Sequence, residues 1–318
     1  MPIFTPPPTR SNMSQALNCR NNIARVEIRF AENVQPVCVI CPEGNLADAL
    51  FACFNAKPCE SADCDGRASG NSIETMNISP CEEIAIACSR GKYSLMGKTD
   101  VPLKEALGLL DARFDTIIRN SVCPQLASVH SFGLVTADGE GVAIMGVSTA
   151  GKTTLGIACA LAGMRPMGDE FGFLDMSMGS YYHAMYPLCV REHSWKVLGI
   201  EKPQPTWASL TPYGNESDML PLKWLEAFGG LAFSQEHSVP LGYVLCPARC
   251  DKAKGVTIES LSVADWPCEI LPSLDAPIPR DRLFKSFLTL ISRQHTRVGR
   301  VIYSDANLAA AAIADWAR

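Results

Sequence analysis

The sequence predicts an α/β protein, with an α+β arrangement as the alternative, in which a mixed sheet carries a glycine-flanked loop. Three observations predict it. Apolar runs of strand length alternate with amphipathic segments along residues 121–318. The loop at residues 146–153 lies between a strand-like run and a helix-like run. Hydrophobic residues make up 47% of the 318 residues and charged residues 19%, so the chain can bury a substantial core.

Residues 121–318 are expected to form the main domain. Its predicted strands cover residues 126–136, 141–145, 165–169, 171–175, 181–190, 242–246, 256–261 and 300–303. Its predicted helices cover residues 152–163, 222–228, 280–292 and 306–317.

Residues 21–120 are expected to form a smaller N-terminal α/β region. The predicted elements are strands at 25–30 and 37–40, a helix at 46–54, a hairpin of 83–88 with 93–96, and a helix at 101–120. The last helix is the clearest, because Leu103, Leu107, Leu110 and Phe114 recur at helical spacing. Residues 1–20 are expected to be a mobile tail and residues 58–73 an exposed loop rich in turn formers.

Charge and hydropathy exclude several classes of partner. The net charge is −5, the pI is about 5.6 and there is no long basic run, so we expect no nucleic-acid and no membrane-surface binding. No apolar run is long enough for a transmembrane helix. The polar, proline-rich start lacks the apolar core of a signal peptide, so a cytoplasmic location is expected.

The fourteen cysteines are scattered, many of them within apolar runs. Cys38 and Cys41 have the spacing of metal ligands, but no second pair follows to complete a four-ligand site. We therefore expect buried, reduced thiols rather than zinc ligands.

Residues 146–153, Gly-Val-Ser-Thr-Ala-Gly-Lys-Thr, fit the P-loop pattern G-x-x-x-x-G-K-[ST]. Glycines permit backbone angles that aim successive N–H groups at one phosphate, and the lysine adds a positive charge. The threonine places a hydroxyl on Mg²⁺, so a nucleoside triphosphate and Mg²⁺ are the expected ligands. The residues expected to bind the nucleotide are Gly146, Ser148, Thr149, Ala150, Gly151, Lys152, Thr153 and Thr154.

An acidic pair, Asp169 and Glu170, follows one helix and one strand after this loop. A carboxylate at such a place can hold Mg²⁺, directly or through water, or accept a proton from an attacking hydroxyl. We therefore assign Thr153, Asp169 and Glu170 as candidate metal-binding residues.

The run from Val129 to Phe173 resembles the catalytic domain of the HPr kinase/phosphorylase family and its kinase-like relatives, which share a nucleotide-binding core with phosphoenolpyruvate carboxykinases. The matching features occur in order: His130 on the preceding strand, the loop with Lys152 and Thr153, Gly163 after the helix, and the acidic pair. Weaker similarity continues to Arg191 and through residues 240–247.

The resemblance implies ATP-dependent phosphorylation of a hydroxyl, usually a serine of a protein or peptide. It implies that Asp169 deprotonates the acceptor, that His130 lies near the transferring phosphate, and that Glu170 helps to hold Mg²⁺. Arg191 becomes a candidate clamp for phosphate or substrate, because an arginine fork suits phosphate oxygens. Relatives in this family often assemble as homo-oligomers.

The chain departs from the family at three places. The second acidic residue is Glu rather than the usual Asp. In addition, a second signature segment of the HPr enzymes is missing and the first 120 residues do not match their N-terminal domain, so neither HPr as the substrate nor the reverse phosphorylase reaction follows from the resemblance. Two alternatives to a protein or peptide kinase stay open: a kinase of small-molecule hydroxyls, and a non-catalytic nucleotide-binding sensor or assembly factor.

The remaining histidines and tryptophans carry no separate functional prediction. Because they lack partners at metal-binding spacing, the histidines are expected to be surface or hydrogen-bonded residues: His183, His193, His237 and His295. Trp195 and Trp224 are expected to pack in the core rather than stack on a base.

Overall fold

The computed structural model describes residues 23–28, 37–54, 56–58, 82–90, 92–120, 126–184, 186–203, 206–210, 216–221, 224–225 and 238–318. The expected tail at 1–20, most of the expected loop at 58–73 and most of the expected helix at 222–228 lie outside these residues, as does His237.

Nineteen strands are described. In chain order they are β1 (Ile23–Ile28), β2 (Val37–Pro42), β3 (Lys57–Pro58), β4 (Glu82–Ala85), β5 (Ala87–Ser89), β6 (Lys92–Leu95), β7 (Lys98–Val101), β8 (Leu126–Val135), β9 (Gly141–Met145), β10 (Arg165–Gly168), β11 (Phe171–Asp175), β12 (Ser180–His183), β13 (Leu188–Val190), β14 (Trp207–Leu210), β15 (Glu216–Leu220), β16 (Val239–Arg249), β17 (Thr257–Ser260), β18 (Leu274–Asp275) and β19 (Arg297–Tyr303).

The described helices alternate with these strands. They are α1 (Asn45–Cys53), α2 (Leu103–Asn120), α3 (Lys152–Leu161), α4 (Glu192–Leu198), α5 (Trp266–Glu269), α6 (Arg280–Gln294) and α7 (Ala306–Trp316), with a 3₁₀ turn at Leu271–Ser273. Helices combined with mixed sheets confirm the expected α/β class.

The main sheet is built around two long strands, β8 and β16. β9 lies between them, antiparallel to β8 and parallel to β16, and all five of its residues are buried. Such a continuous buried run is typical of a strand covered on both faces. β16 continues the sheet through parallel β19 to antiparallel β17.

Two short strands pair with successive halves of β8 and leave the acidic pair between them. β10 pairs antiparallel with the second half of β8, and β11 pairs with the first half, where Phe171 lies opposite His130. Asp169 and Glu170 occupy the break between β10 and β11, so the register of the sheet sets them beside His130.

Helices cover both faces of this sheet. α3 and α7 pack over one face in a core that includes Phe132, Ile144 and Leu155. α6 packs over the other face with Phe287 and Leu290 against Val244. α3 approaches β8 closely because Gly156 has no side chain: a Cβ at that residue would lie 2.2 Å from the Phe132 ring.

The N-terminal region shares its core with β11, the strand of the main sheet that directly follows the acidic pair. Its sheet has the order β3-β1-β2-β4, and its buried side chains cluster with α2. Phe171, Phe173 and Tyr186 join the same cluster from the main domain. This shared core places one face of α2 beside the acidic pair.

Two sequence predictions of strands are wrong in detail. Residues 181–190 do not form one strand: β12 pairs with β11 and β16, whereas β13 pairs with β15 in a separate three-stranded sheet. The predicted first strand of the hairpin also divides at Ile86, because β4 joins β2 and only β5 pairs with β6. Apolar runs predict strands but do not identify their partners.

Most of the other predicted elements that fall in the described residues are present within a few residues of the expected bounds, although β16 extends well beyond the predicted 242–246. Cys38 and Cys41 are both buried and form no disulfide among the described residues. No helix within the described part of the chain combines the length and apolar character needed to cross a bilayer.

Candidate active site

The loop after β9 turns sharply at three residues. Gly146 has φ 145°, Thr149 has φ 71° and Gly151, which caps α3, has φ 95°. Positive φ at the two positions with glycine carries little steric cost, whereas Thr149 adopts it at a cost. A turn of this kind followed by a helix N-terminus forms a concave site for anionic oxygens.

Ser273 fixes the start of the loop from a distant part of the chain. Its Oγ accepts from the Gly146 N–H at 2.9 Å and donates to the Gly146 carbonyl at 3.0 Å. The N–H and the carbonyl of Gly146 are therefore both bonded to one buried side chain, which keeps the first residue of the loop in place.

Lys152 is folded into the loop and is only 7% exposed. Its Nζ donates to the Gly146 carbonyl at 2.9 Å and to the Val147 carbonyl at 3.2 Å. Burial lowers the pKa of Lys152, and the nearby carboxylates of Glu170 and Asp169 partly offset that shift. The loop thus surrounds a desolvated ammonium group that phosphate oxygens can bind.

Thr153 and Asp169 join the loop to the acidic pair. The Thr153 hydroxyl donates to Asp169 Oδ1 at 3.2 Å, and the Cys189 N–H donates to Oδ2 at 3.2 Å. Asp169 is only 1% exposed. Burial, followed by the charge of Glu170, raises the pKa of Asp169 to about 8.

Glu170 lies at the centre of a three-residue turn and faces the cleft. The Phe171 N–H donates to the Asp169 carbonyl at 2.8 Å, and Glu170 has φ 64°, a strained conformation for this residue. Its side chain is 29% exposed, and Oε2 lies 2.8 Å from His130 Nε2. Burial alone would raise the pKa of Glu170, but the His130 contact and the charges of Lys152 and Arg119 hold it below its usual value.

These groups line one cleft of about 530 Å³. One end, the loop end, includes residues 148–154 and extends past Arg191 and His193 to Arg249. Arg249 Nη1 lies 2.9 Å from His193 Nε2, and Thr154 is bonded to Ser194 at 2.8 Å. The loop end therefore brings several positive groups, Lys152, Arg191 and Arg249, to the loop at residues 146–153.

The opposite end of the cleft is a wall formed by α2, which we call the α2 wall. It consists of Asp111, Asp115 and Arg119 from α2, together with Phe171 and Tyr186. Arg119 Nε is paired with Asp115 at 2.6 Å, and its guanidinium lies 5.7 Å from the centre of the Phe171 ring. The Tyr186 hydroxyl donates to Asp111.

The structure brings together the residues singled out from the sequence. The cleft is lined by His130, Ser148, Thr149, Ala150, Gly151, Lys152, Thr153, Thr154, Glu170 and Arg191. Gly146 and Asp169 are buried and do not line it, although both contact lining residues. Trp195 and Trp224 pack edge to face at 5.6 Å, in line with the expected core packing. The functional roles of all these residues stay predictions.

Sequence reasoning missed several lining residues. His193 is exposed, as expected, but it also lines the cleft beside Arg249. Asp111, Asp115 and Arg119 repeat every four residues on a predicted helix, and that spacing was the available signal that they share one face. Nothing local in the sequence distinguishes Arg249 or Ser273, because tertiary folding alone brings them to the loop.

The residues beside the loop fit a magnesium ion. Among the described residues, no group of three or more His, Cys, Asp or Glu side chains is arranged to hold a metal. Mg²⁺ does not need one, since it is commonly held by one or two protein oxygens together with phosphate oxygens and water. Thr153 Oγ1 and Asp169 Oδ1 supply such oxygens, and a cation there offsets the burial of the Asp169 carboxylate.

Two comparisons with known proteins returned no relative. No protein-family model matches the chain, and no curated protein sequence matches it.

Replacing Lys152 with alanine is expected to weaken binding of Mg·AMP-PNP, a non-hydrolysable ATP analogue, by roughly 10- to 100-fold, because charge-assisted hydrogen bonds are lost. Isothermal titration calorimetry measures the effect. Lys196→Ala is the matched control, because Lys196 is exposed on α4 and does not line the cleft. Equal affinity in the two variants would contradict a phosphate-binding role for Lys152.

Proposed function

We propose that the protein is an ATP- and Mg²⁺-dependent phosphotransferase that transfers the γ-phosphoryl group to a hydroxyl, in the manner of the HPr kinase-like enzymes. One observation carries the proposal. A single cleft holds a P-loop lysine, a loop threonine 3.2 Å from a buried aspartate, and a glutamate 2.8 Å from a histidine. Phosphoryl transfer needs positioning and charge stabilisation, and these groups supply both.

The loop and its cations bind the triphosphate in this proposal. The loop N–H groups and the N-terminus of α3 hold phosphate oxygens, and the Lys152 ammonium moves from its own loop carbonyls to the β- and γ-phosphates. Arg191 lines the same end and lies close enough to Lys152 to lower its pKa. Arg191 and Arg249 are therefore the candidate clamps for the outer phosphates.

Thr153 and Asp169 would hold Mg²⁺, which would supply positive charge to offset the negative charge that develops during transfer. The Thr153 hydroxyl already points at Asp169 Oδ1, and the Cys189 N–H fixes the other oxygen, so the aspartate is oriented before any ligand arrives.

The geometry supports Glu170, rather than Asp169, as the base. Asp169 is 1% exposed and bonded through both oxygens, whereas Glu170 faces the cleft and is oriented by His130. Glu170 would take the acceptor's proton as the acceptor oxygen bonds to the γ-phosphorus and the bond to the leaving ADP oxygen breaks. The resemblance implies that Asp169 is the base and that Glu170 helps to hold Mg²⁺. In this proposal the two residues exchange these roles.

The acceptor expected from the resemblance is a serine of a protein or peptide, and a small-molecule hydroxyl is the alternative. A nucleotide-binding sensor is the competing function from another class. The sensor requires only the loop end of the cleft, whereas the Glu170–His130 pair beside the loop has a clear use only in transfer. That pair is the reason for placing catalysis first.

ADP release from Mg·ATP is expected to rise when an acceptor is present. Purified protein would be assayed with a macromolecular fraction and a small-molecule fraction of cell extract, and Lys152→Ala would serve as the control. Stimulation by either fraction that disappears in the variant supports the transferase and identifies the acceptor class. Tight nucleotide binding without stimulation by either fraction would favour the sensor.

The exchanged roles predict different defects in two variants. Glu170→Gln is expected to lower kcat by roughly 10²–10⁴-fold with an unchanged Mg²⁺ requirement, because it removes the base. Asp169→Asn is expected to raise the Mg²⁺ concentration needed for half-maximal activity, because it removes a metal-binding oxygen. Mg²⁺ titrations of both variants test this, and the reverse pattern would restore Asp169 as the base.

A further inference from the structure

The α2 wall contains a carboxylate that has no cationic partner among the described residues. Arg119, the wall's own cation, is paired with Asp115 at 2.6 Å and approaches Asp275 at 3.6 Å. Asp111 instead receives a hydrogen bond from the neutral Tyr186 hydroxyl. Asp111 therefore faces the cleft as an acceptor of hydrogen bonds whose charge is not balanced within the wall.

Two aromatic rings stand beside this carboxylate. Phe171 and Tyr186 both line the cleft, and their rings meet edge to face with centroids 4.8 Å apart. The Arg119 guanidinium lies 5.7 Å from the centre of the Phe171 ring, so this part of the cleft already places a cation against an aromatic ring. A carboxylate beside aromatic faces is the chemistry that recognises an ammonium group.

The wall lies close to the catalytic groups of the proposed reaction. Phe171 directly follows Glu170, and the charge of Glu170 contributes, after burial, to raising the pKa of Asp111 to about 7. A cationic ligand that stabilises the ionised form of Asp111 would therefore sit near the proposed base.

We infer that the acceptor is an amino alcohol, whose ammonium group binds Asp111 beside the Phe171 and Tyr186 rings while its hydroxyl reaches Glu170. This inference rests on the proposed function and names its substrate class. The hydroxyl gives its proton to Glu170 and receives the γ-phosphoryl group, and ADP leaves. The ammonium group is unchanged in the reaction and serves only for recognition.

The same chemistry can come from two sources, a free amino alcohol or a peptide that begins with serine. The probes are L-serinamide, N-acetyl-L-serinamide, a short peptide with a free N-terminal serine, and its N-acetylated form. In each pair, the acetylated member keeps the hydroxyl but lacks the positive charge of the free amine. Binding would be measured by calorimetry on the complex with Mg·AMP-PNP, and transfer by mass spectrometry with Mg·ATP.

At least one free-amine probe is expected to bind and be phosphorylated roughly 10- to 100-fold better than its acetylated counterpart, because the charged hydrogen bond is lost on acetylation. Asp111→Asn is expected to remove this preference while leaving the affinity for Mg·AMP-PNP within about twofold. Preference for serinamide alone identifies a free amino alcohol, and preference shared by the peptide identifies an N-terminal serine.

Two further variants separate recognition from folding. Asp315→Asn is the control, since Asp315 is exposed on α7 away from the cleft. Tyr186→Phe keeps the ring but removes the hydroxyl that orients Asp111, so it is expected to reduce the preference by a smaller factor. Tyr186→Phe also tests the inference if Asp111→Asn does not fold.

Three outcomes would overturn the inference and leave the proposed transferase standing. Free and acetylated probes could bind equally well, or Asp111→Asn could keep the preference for the free amine. The third such outcome is that no probe binds although Mg·AMP-PNP does. Failure of Mg·AMP-PNP itself to bind would instead overturn the proposed function, and this inference would fall with it.

Discussion

The contact between Thr153 and Asp169 connects the two halves of the candidate site. Thr153 belongs to the first turn of α3, whereas Asp169 lies in the break between β10 and β11. Both positions depend on the main sheet, because β9 aims the loop and the register of β10 and β11 on β8 sets the acidic pair. A shift of β10 or β11 by one residue along β8 would turn the side chains of that strand to the other face of the sheet and displace the acidic pair.

The backbone orients the buried polar groups on both sides of this contact. Lys152 is bonded to two carbonyls of its own loop, and Asp169 accepts an N–H from Cys189. Without such partners, a buried ammonium group would cost several kcal/mol. These hydrogen bonds hold both side chains in one orientation, and such preorganisation is what the proposed electrostatic catalysis needs.

The sequence predicts the chemistry of the loop end better than that of the α2 wall. The P-loop and the acidic pair are local patterns with a strand and a helix in fixed order, so residues 146–153 and 169–170 could be located without a structure. Asp111 and Arg249 enter the cleft only through packing between distant segments. The division of residues 181–190 between two sheets was missed for the same reason, because strand pairing is a long-range property.

The neighbouring carboxylates differ in environment, which the sequence alone does not reveal. Asp169 and Glu170 are adjacent, but the positive φ of Glu170 turns its side chain toward His130 and the cleft while Asp169 stays beneath the loop. Neighbouring acids placed in unlike surroundings can take different roles in one reaction. The strained backbone at Glu170 is thus the local feature on which the proposed roles depend, with Glu170 as the base and Asp169 as the metal ligand.

The position of a bound metal ion decides between the roles proposed for Asp169 and Glu170. Crystals grown with Mn²⁺ in place of Mg²⁺ and with AMP-PNP would locate the ion by its anomalous scattering. We expect a peak within bonding distance of Thr153 Oγ1 and the phosphate oxygens, with Asp169 beside it and Glu170 on the acceptor side without contact to the ion. An ion held by Glu170, or one remote from Thr153, would contradict these roles.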